Sequence, residues 1–188
     1  MPTPDRTSLD KIVAAARELL ERAGLPGVTM QAVADRVGVR APSLYKRVDS
    51  REGLLRLIAE QTARELGASL AVIANKADNS DARSQLTRML DAFRAFAHAH
   101  PAAYQLIFAP HSGAAAADNA VLAEASAPVL ALAAELAGPG RSLSAARTIT
   151  AWAHGFVTME LSGAFRLGGD VDEAWRFGSQ HLAGALAR

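Results

Sequence analysis

The stretch Val28 to Val48, VTMQAVADRVGVRAPSLYKRV, reads as a helix-turn-helix. Val33 and Val37 lie four apart, with Met30 and Ala34 at helical spacing beside them, so one stripe of a short helix is apolar. Thr29 stands where an N-cap belongs, because its hydroxyl can take an amide of the first turn. Gly38 follows the last apolar residue, the position at which a left-handed residue closes a helix, and Val39 can turn back into the core. Pro42 suits the first turn of a second helix, spanning about Ala41 to Val48, in which Leu44 and Val48 form an inward pair. At 100° per residue this leaves Pro42, Ser43 and Lys46 on the opposite face and Tyr45 and Arg47 on its flanks.

Charge gathers on the same stretch. Between Arg36 and Arg51 there are five basic residues, Arg36, Arg40, Lys46, Arg47 and Arg51, against one acid, Asp49, while the whole chain carries a formal charge of only +1. A cationic patch concentrated on a motif small enough to enter a groove is what phosphate neutralisation requires. An ordinary three-helix corner with a solvated basic face gives the same pattern, and spacing alone leaves both readings open.

Outward from the motif the chain is helical throughout. Thr7 or Ser8 can cap a first helix with Asp10 in its first turn; Ile12, Val13, Ala16, Leu19, Leu20 and Ala23 form its apolar stripe, and Gly24 to Gly27 end it. This helix is the packing partner of the motif, which is too small to bury its own apolar face. From Ser50 a long helix bearing Leu54, Leu55, Ile58, Leu66 and Leu70 joins two parts of the chain. Asn79 or Ser80 can cap the next helix, which carries Leu86, Met89, Leu90, Phe93, Phe96 and Ala97 and stops at His100-Pro101. A short helical piece covers Ala102 to Phe108; an Ala- and Leu-rich segment, Ala114 to Ala137, is kinked or interrupted by Pro128; and Gly138 to Gly140 is a stop. A helix from Ser142 or Ser144 to about Leu167 is apolar nearly all round, and Asp170 can cap the last one. With no strand signal and no repeat, the expected fold is all-α: a helix-turn-helix domain at 1–50 and a helical bundle at 51–188.

Composition narrows the chemistry. Hydrophobic residues make up 50% and charged residues 21% of the 188, so a packed core is expected. No uncharged apolar run approaches the roughly 18 residues of a membrane span, and the N-terminus lacks the order of a signal peptide, so a cytoplasmic protein without membrane partners is expected. There is no Cys, hence no disulfide or thiolate site. The five His show no metal-ligand spacing, no nucleophile or phosphate-loop motif occurs, and neither a metal, a cofactor nor an enzymatic activity is expected. His154 reads as a polar group at an interface, and Glu160 is open between a ligand contact and an Arg partner.

From Thr29 to Leu55 the residues resemble the DNA-binding domain of the TetR family of transcriptional regulators, carried by Ala32 to Val39, by Leu44-Tyr45-Lys46-Arg47-Val48, and by Ser50-Arg51-Glu52-Gly53-Leu54-Leu55. Val48 stands for the more usual Phe and Arg51 for the more usual Lys. A shorter likeness, in Trp152 to Val157 and His100 to Tyr104, is to the subgroup with a Trp-His-Gly signature in its C-terminal domain. The resemblance implies a homodimer joined by the last two helices, bound to a double-stranded, pseudo-palindromic operator and released by a small-molecule effector. It places Thr29, Tyr45, Lys46 and Arg51 on phosphates and Gln31, Arg40, Ala41, Pro42 and Ser43 near base edges. Arg40 is open between a bidentate guanine contact and an ordinary phosphate contact. The expected effector pocket draws on Phe93, Phe96, Tyr104, Phe108, Trp152, Phe156 and Met159, although each of these taken singly fits plain core better. The competing function is a helical small-molecule-binding protein with no specific DNA recognition.

Overall fold

Ser8 Oγ accepts the Lys11 amide at 3.3 Å and starts α1 (Leu9–Gly27) in the computed structural model, which describes residues 8–75, 81–109 and 116–187. Regular geometry in α1 breaks at Gly24 (φ 65°, ψ −172°), the left-handed region open to glycine, so the Gly24 to Gly27 stop expected from sequence is a kink followed by one more turn. Thr29 caps α2 (Met30–Val37) by accepting the Ala32 amide at 3.1 Å, and Gly38 closes it with φ 75° and ψ 34°. α3 is shorter than expected. It covers only Ala41–Leu44 and gives way to a turn at Tyr45 to Arg47, in which Leu44 O accepts the amides of both Arg47 (2.8 Å) and Val48 (2.9 Å).

α4 (Arg51–Ala74) follows, then α5 (Ala82–Ala99), α6 (Pro101–Phe108), α7 (Asn119–Ala137), a 3-10 turn (Pro139–Arg141), α8 (Ser142–Leu161) and α9 (Val171–Leu186). No strand occurs among the described residues. Asn79 and Ser80 lie outside the described residues; Asp81 caps α5, accepting the Ser84 amide at 2.8 Å, and that bond holds its carboxyl below the usual range. Pro128 does not interrupt α7, which runs through it. By length and composition α7 would suffice to cross a membrane, with a mean hydropathy of 1.6, although Glu124 and Glu135 keep it from being an uncharged run.

Two compact units result, one comprising Met1–Ala63 and His100–Leu122, the other Arg64–Ala99 and Ala123–Arg188. The first is larger than the 1–50 stretch marked off by sequence. Its core runs from Ile12, Ala16 and Leu20 of α1 through Val33 of α2 and Leu44 of α3 to Leu54 and Ile58 of α4, and is completed by Ala103 and Leu106 of α6, all at most 3% exposed. Three short helices cannot bury that much apolar surface on their own, and the first turns of α4 and the whole of α6 close the remainder.

In the second unit Trp175 of α9 is 1% exposed and sits at the centre of an aromatic group, with ring centroids 4.9 Å from Trp152 and 5.2 Å from Phe156, both on α8. Gly178, one turn on, lets the Trp152 ring lie against α9: a Cβ there would overlap it. Gly178→Val should therefore cost about 1–3 kcal/mol by overpacking, measured as a lower urea midpoint with an altered near-ultraviolet tryptophan signal. α8 ends at Leu161, short of the expected stop near Leu167. Gly163 (φ 66°) turns the chain, its amide reaching Glu160 O at 2.9 Å and that of Ala164 reaching Met159 O at 2.8 Å. Phe165 then folds back on Phe156, 4.8 Å between centroids.

Candidate nucleic-acid interface

The expected reading residues all lie in the first unit, at the start of α2, on α3 and the turn after it, and at the start of α4. Leu44 (0% exposed) and Val48 (3%) point inward as expected, and this leaves Pro42, Ser43, Tyr45, Lys46 and Arg47 outward, with Tyr45 52% exposed. Arg40 is the exposed N-cap residue of α3, and Ala41 beside it is half-buried against the core. At the start of α2 Thr29 is exposed while its hydroxyl caps the helix, and exposed Gln31 donates to Asp35 Oδ1 at 2.7 Å. The strip thus combines the cations Arg40, Lys46 and Arg47, neutral donors and acceptors, and a phenol.

Arg51, expected on a phosphate, has backbone partners within the first unit. Its Nε donates to Val28 O and one terminal nitrogen to Leu25 O, both at 2.6 Å, so the guanidinium braces the link between α1 and α2. A second brace, between exposed side chains, is the pair of Arg36 Nε and Glu18 Oε2 at 3.0 Å. The shape of the reading strip is therefore held by charged side chains that were counted in its basic patch.

The seven residues expected to line an effector pocket divide between the units. Tyr104 and Phe108 lie in the first, 5.2 Å apart, and burial raises the Tyr104 hydroxyl pKa well above its ordinary value. Phe93, Phe96, Trp152, Phe156 and Met159 lie in the second. Trp152 and Phe156 pack on one another and on Trp175, Phe93 is 7% exposed, and Met159 faces outward at 46%. His154, half-buried one turn after Thr150, is shifted towards the neutral imidazole by burial.

Glu160, left open by the sequence, pairs with an arginine. Arg94 of α5 grips both of its carboxylate oxygens, His98 Nε2 lies 3.0 Å from Oε2, and Arg94 also reaches Asp172 Oδ1 at 2.6 Å. The bond to Arg94 is the main cause that lowers the Glu160 pKa, and the same bond raises that of Arg94. Arg94 lies over the Trp175 ring, 5.3 Å from its centroid, and Trp175 Nε1 donates to Asp91 Oδ1 at 2.8 Å. An open cleft of about 410 Å³ lined by Asp91, Arg94, Ala95 and His98 runs beside this network. Sequence reasoning missed it because its members are 66 and 78 positions apart.

A capped short helix, a left-handed glycine and a second short helix with an exposed face form a helix-turn-helix, with no strand among the described residues. Residues 12–58 match the model of the tetR family of bacterial regulatory proteins, and residues 86–182 match the tetracyclin repressor-like C-terminal domain. An uncharacterised HTH-type transcriptional regulator of Mycobacterium tuberculosis is 31% identical over 162 residues, 85% of this chain and 73% of that protein. A structure of a Rhodococcus protein of unknown function superposes with a TM-score of 0.82 at 25% identity, covering all of both chains. BioQ of Mycobacterium smegmatis superposes at 0.69 and 24% identity, over 96% of this chain and 98% of that one, and BioQ has also been solved with its double-stranded DNA operator at the same score. The chain belongs to the TetR family and is a DNA-binding transcriptional regulator. The C-terminal match does not confirm the Trp-His-Gly subgroup expected from Trp152 to Val157.

Proposed function

We propose that the protein is a ligand-responsive repressor that binds a pseudo-palindromic operator as a homodimer, in the cytoplasm. The observation that carries the DNA reading is the exposed strip from Arg40 to Arg47 on a buried Leu44–Val48 anchor. Lys46, Tyr45 and Thr29 are assigned to phosphates, and Gln31, Arg40, Ala41, Pro42 and Ser43 to base edges, the division by which phosphate contacts supply affinity and base contacts supply sequence choice. Arg51 is assigned to the fold first, given its two carbonyl partners.

The dimer is supported by the last two helices. Leu143 (54% exposed), Met159 (46%) and Phe177 (63%) stand outward on α8 and α9 among exposed small residues, Ala151, Gly155, Gly184 and Ala185. Apolar groups on small-residue surfaces favour close helix packing across a two-fold axis. Two reading turns related by that axis would meet half-sites roughly 34–36 Å apart or a multiple of it. A small molecule held by the aromatic side chains would act only through its different affinity for the DNA-competent and DNA-incompetent states.

The test is selection of the tightest sites from random duplexes, with sequencing of the survivors and a salt titration of the winner. The expected result is a palindrome whose affinity falls steeply and linearly on a log-log salt plot. Weak binding indifferent to sequence would overturn the operator reading and leave a helical small-molecule-binding protein in its place.

A further inference from the structure

Glu21 lies one turn before the break in α1 at Gly24, and its side chain leaves the helix for the first turn of α6. Its Oε2 accepts the Ala102 amide at 3.0 Å and its Oε1 the Ala103 amide at 2.9 Å. Those are donors that an N-cap side chain ordinarily satisfies, and His100, at the N-cap of α6, makes no such bond. A carboxylate is well suited to the post, since it meets the positive end of the helix with two charge-assisted bonds. α6 is thus capped from α1 by a residue 81 positions away. At the far end of the same segment, buried Glu60 of α4 accepts the Asp118 amide at 3.2 Å. Carboxylates from two helices of the reading head hold both ends of the 100–122 stretch.

The position of Glu21 on α1 gives the cap a second consequence. One turn back, Glu18 holds Arg36 of α2; just beyond Gly24, Arg51 holds Leu25 and Val28. The corner from which α2 departs is fixed by these three attachments, and that of Glu21 is the one whose partner lies outside α1 to α4. Through Pro101 that partner is continuous in the chain with α5, which ends at Ala99 in the other unit.

We propose that Glu21 is a positioning residue for operator binding: by tethering α1 to the start of α6 it holds the α1–α2 corner in the pose that presents the reading turn. The proposal rests on the reading that this turn engages DNA. It differs from a plain capping role in one respect: supplying α6 with a cap of its own would restore the helix but not the tether.

The experiment compares wild type, Glu21→Gln, and Glu21→Gln with His100→Ser, using the duplex that wild type selects from a random pool. Operator Kd and hydrogen exchange of the α6 amides are both measured. Glu21→Gln should exchange faster at Ala102 and Ala103 and bind about tenfold more weakly. The hydroxyl that His100→Ser introduces should restore α6 protection while affinity stays low. If affinity returns with protection, or if Glu21→Gln binds within twofold of wild type, the tether is overturned. Should Glu21→Gln fail to fold, the double variant carries the same comparison alone: full affinity overturns the proposal, and a protected α6 with lost affinity supports it. A wild-type protein that enriches no duplex would sink the operator reading and the tether with it.

Discussion

Leu44→Ala should abolish operator binding and destabilise the reading head by about 2–5 kcal/mol, the range for deleting a buried leucine and leaving a cavity. Leu44 is 0% exposed and is the one buried residue of α3. A four-residue helix has too few internal bonds to persist alone, so its place is set by what that side chain inserts into. Its carbonyl also anchors the turn that follows, accepting from Arg47 and Val48. When the side chain is cut back, the remaining inward contacts are Val48 and the small, half-buried Ala41, and the turn carrying Tyr45 and Lys46 loses its fixed direction. Affinity should consequently fall by more than the stability loss alone implies. Urea denaturation together with operator titration at a concentration where the variant is still folded checks both parts. A folded variant with unchanged Kd would show that the turn is held by something other than this anchor. Leu44→Met, which conserves volume, should lose less than about 1.5 kcal/mol and keep binding.

How much of this was legible depends on how local each rule is. Thr29, Gly38 and the Leu44–Val48 pair were readable because a cap, a left-handed closure and an inward pair are set by neighbours within a turn. The early end of α3 was not, since the apolar spacing of Leu44 and Val48 serves a helix and a tight turn equally well. The brace made by Arg51 was not legible, because its partners are the carbonyls of Leu25 and Val28, which have no signature in side-chain pattern. The same holds for Glu21, whose partners are two amides on α6. Ala103 and Leu106 fill the head core, yet nothing in an alanine and a leucine announces which unit they complete. The end of α8 at Ser162-Gly163 was present in the sequence and was outweighed by the apolar Phe165 beyond it, which returns to Phe156 as a separate contact. The expected lining of an effector pocket is the least legible part, because an aromatic side chain in a helix serves a core and a cavity alike.

The second large effect is expected in the other unit, at Arg94. Its side chain and that of Glu160 are 18% and 15% exposed, so the pair is mostly out of water. Removing one member of such a pair leaves the other charge uncompensated, which costs about 3–5 kcal/mol. Arg94→Ala should fall near the lower end, since His98 still faces Glu160 and Asp172 is 70% exposed and readily hydrated. The loss of the cation over Trp175 adds to it. Replacing both members, Arg94→Met with Glu160→Leu, should recover most of the deficit, because two apolar side chains of similar volume leave no stranded charge. The pH dependence separates this account from simple packing. Glu160 is held below its ordinary value of 4.5 by the bond from Arg94, against an opposing push from burial. A carboxylate with a depressed folded pKa contributes stability that is complete above the unfolded value and lost as pH falls from there through the folded one. Wild type should therefore lose this contribution on acidification below 4.5. In Arg94→Ala the main depressing bond is gone, burial remains and only the weaker bond from His98 still opposes it, so the loss should shrink, and the gap between the two proteins should narrow as pH falls. Equilibrium denaturation of both from neutrality into that acid range reads the gap directly. A gap independent of pH would mean that Arg94 acts through its packing and not through Glu160.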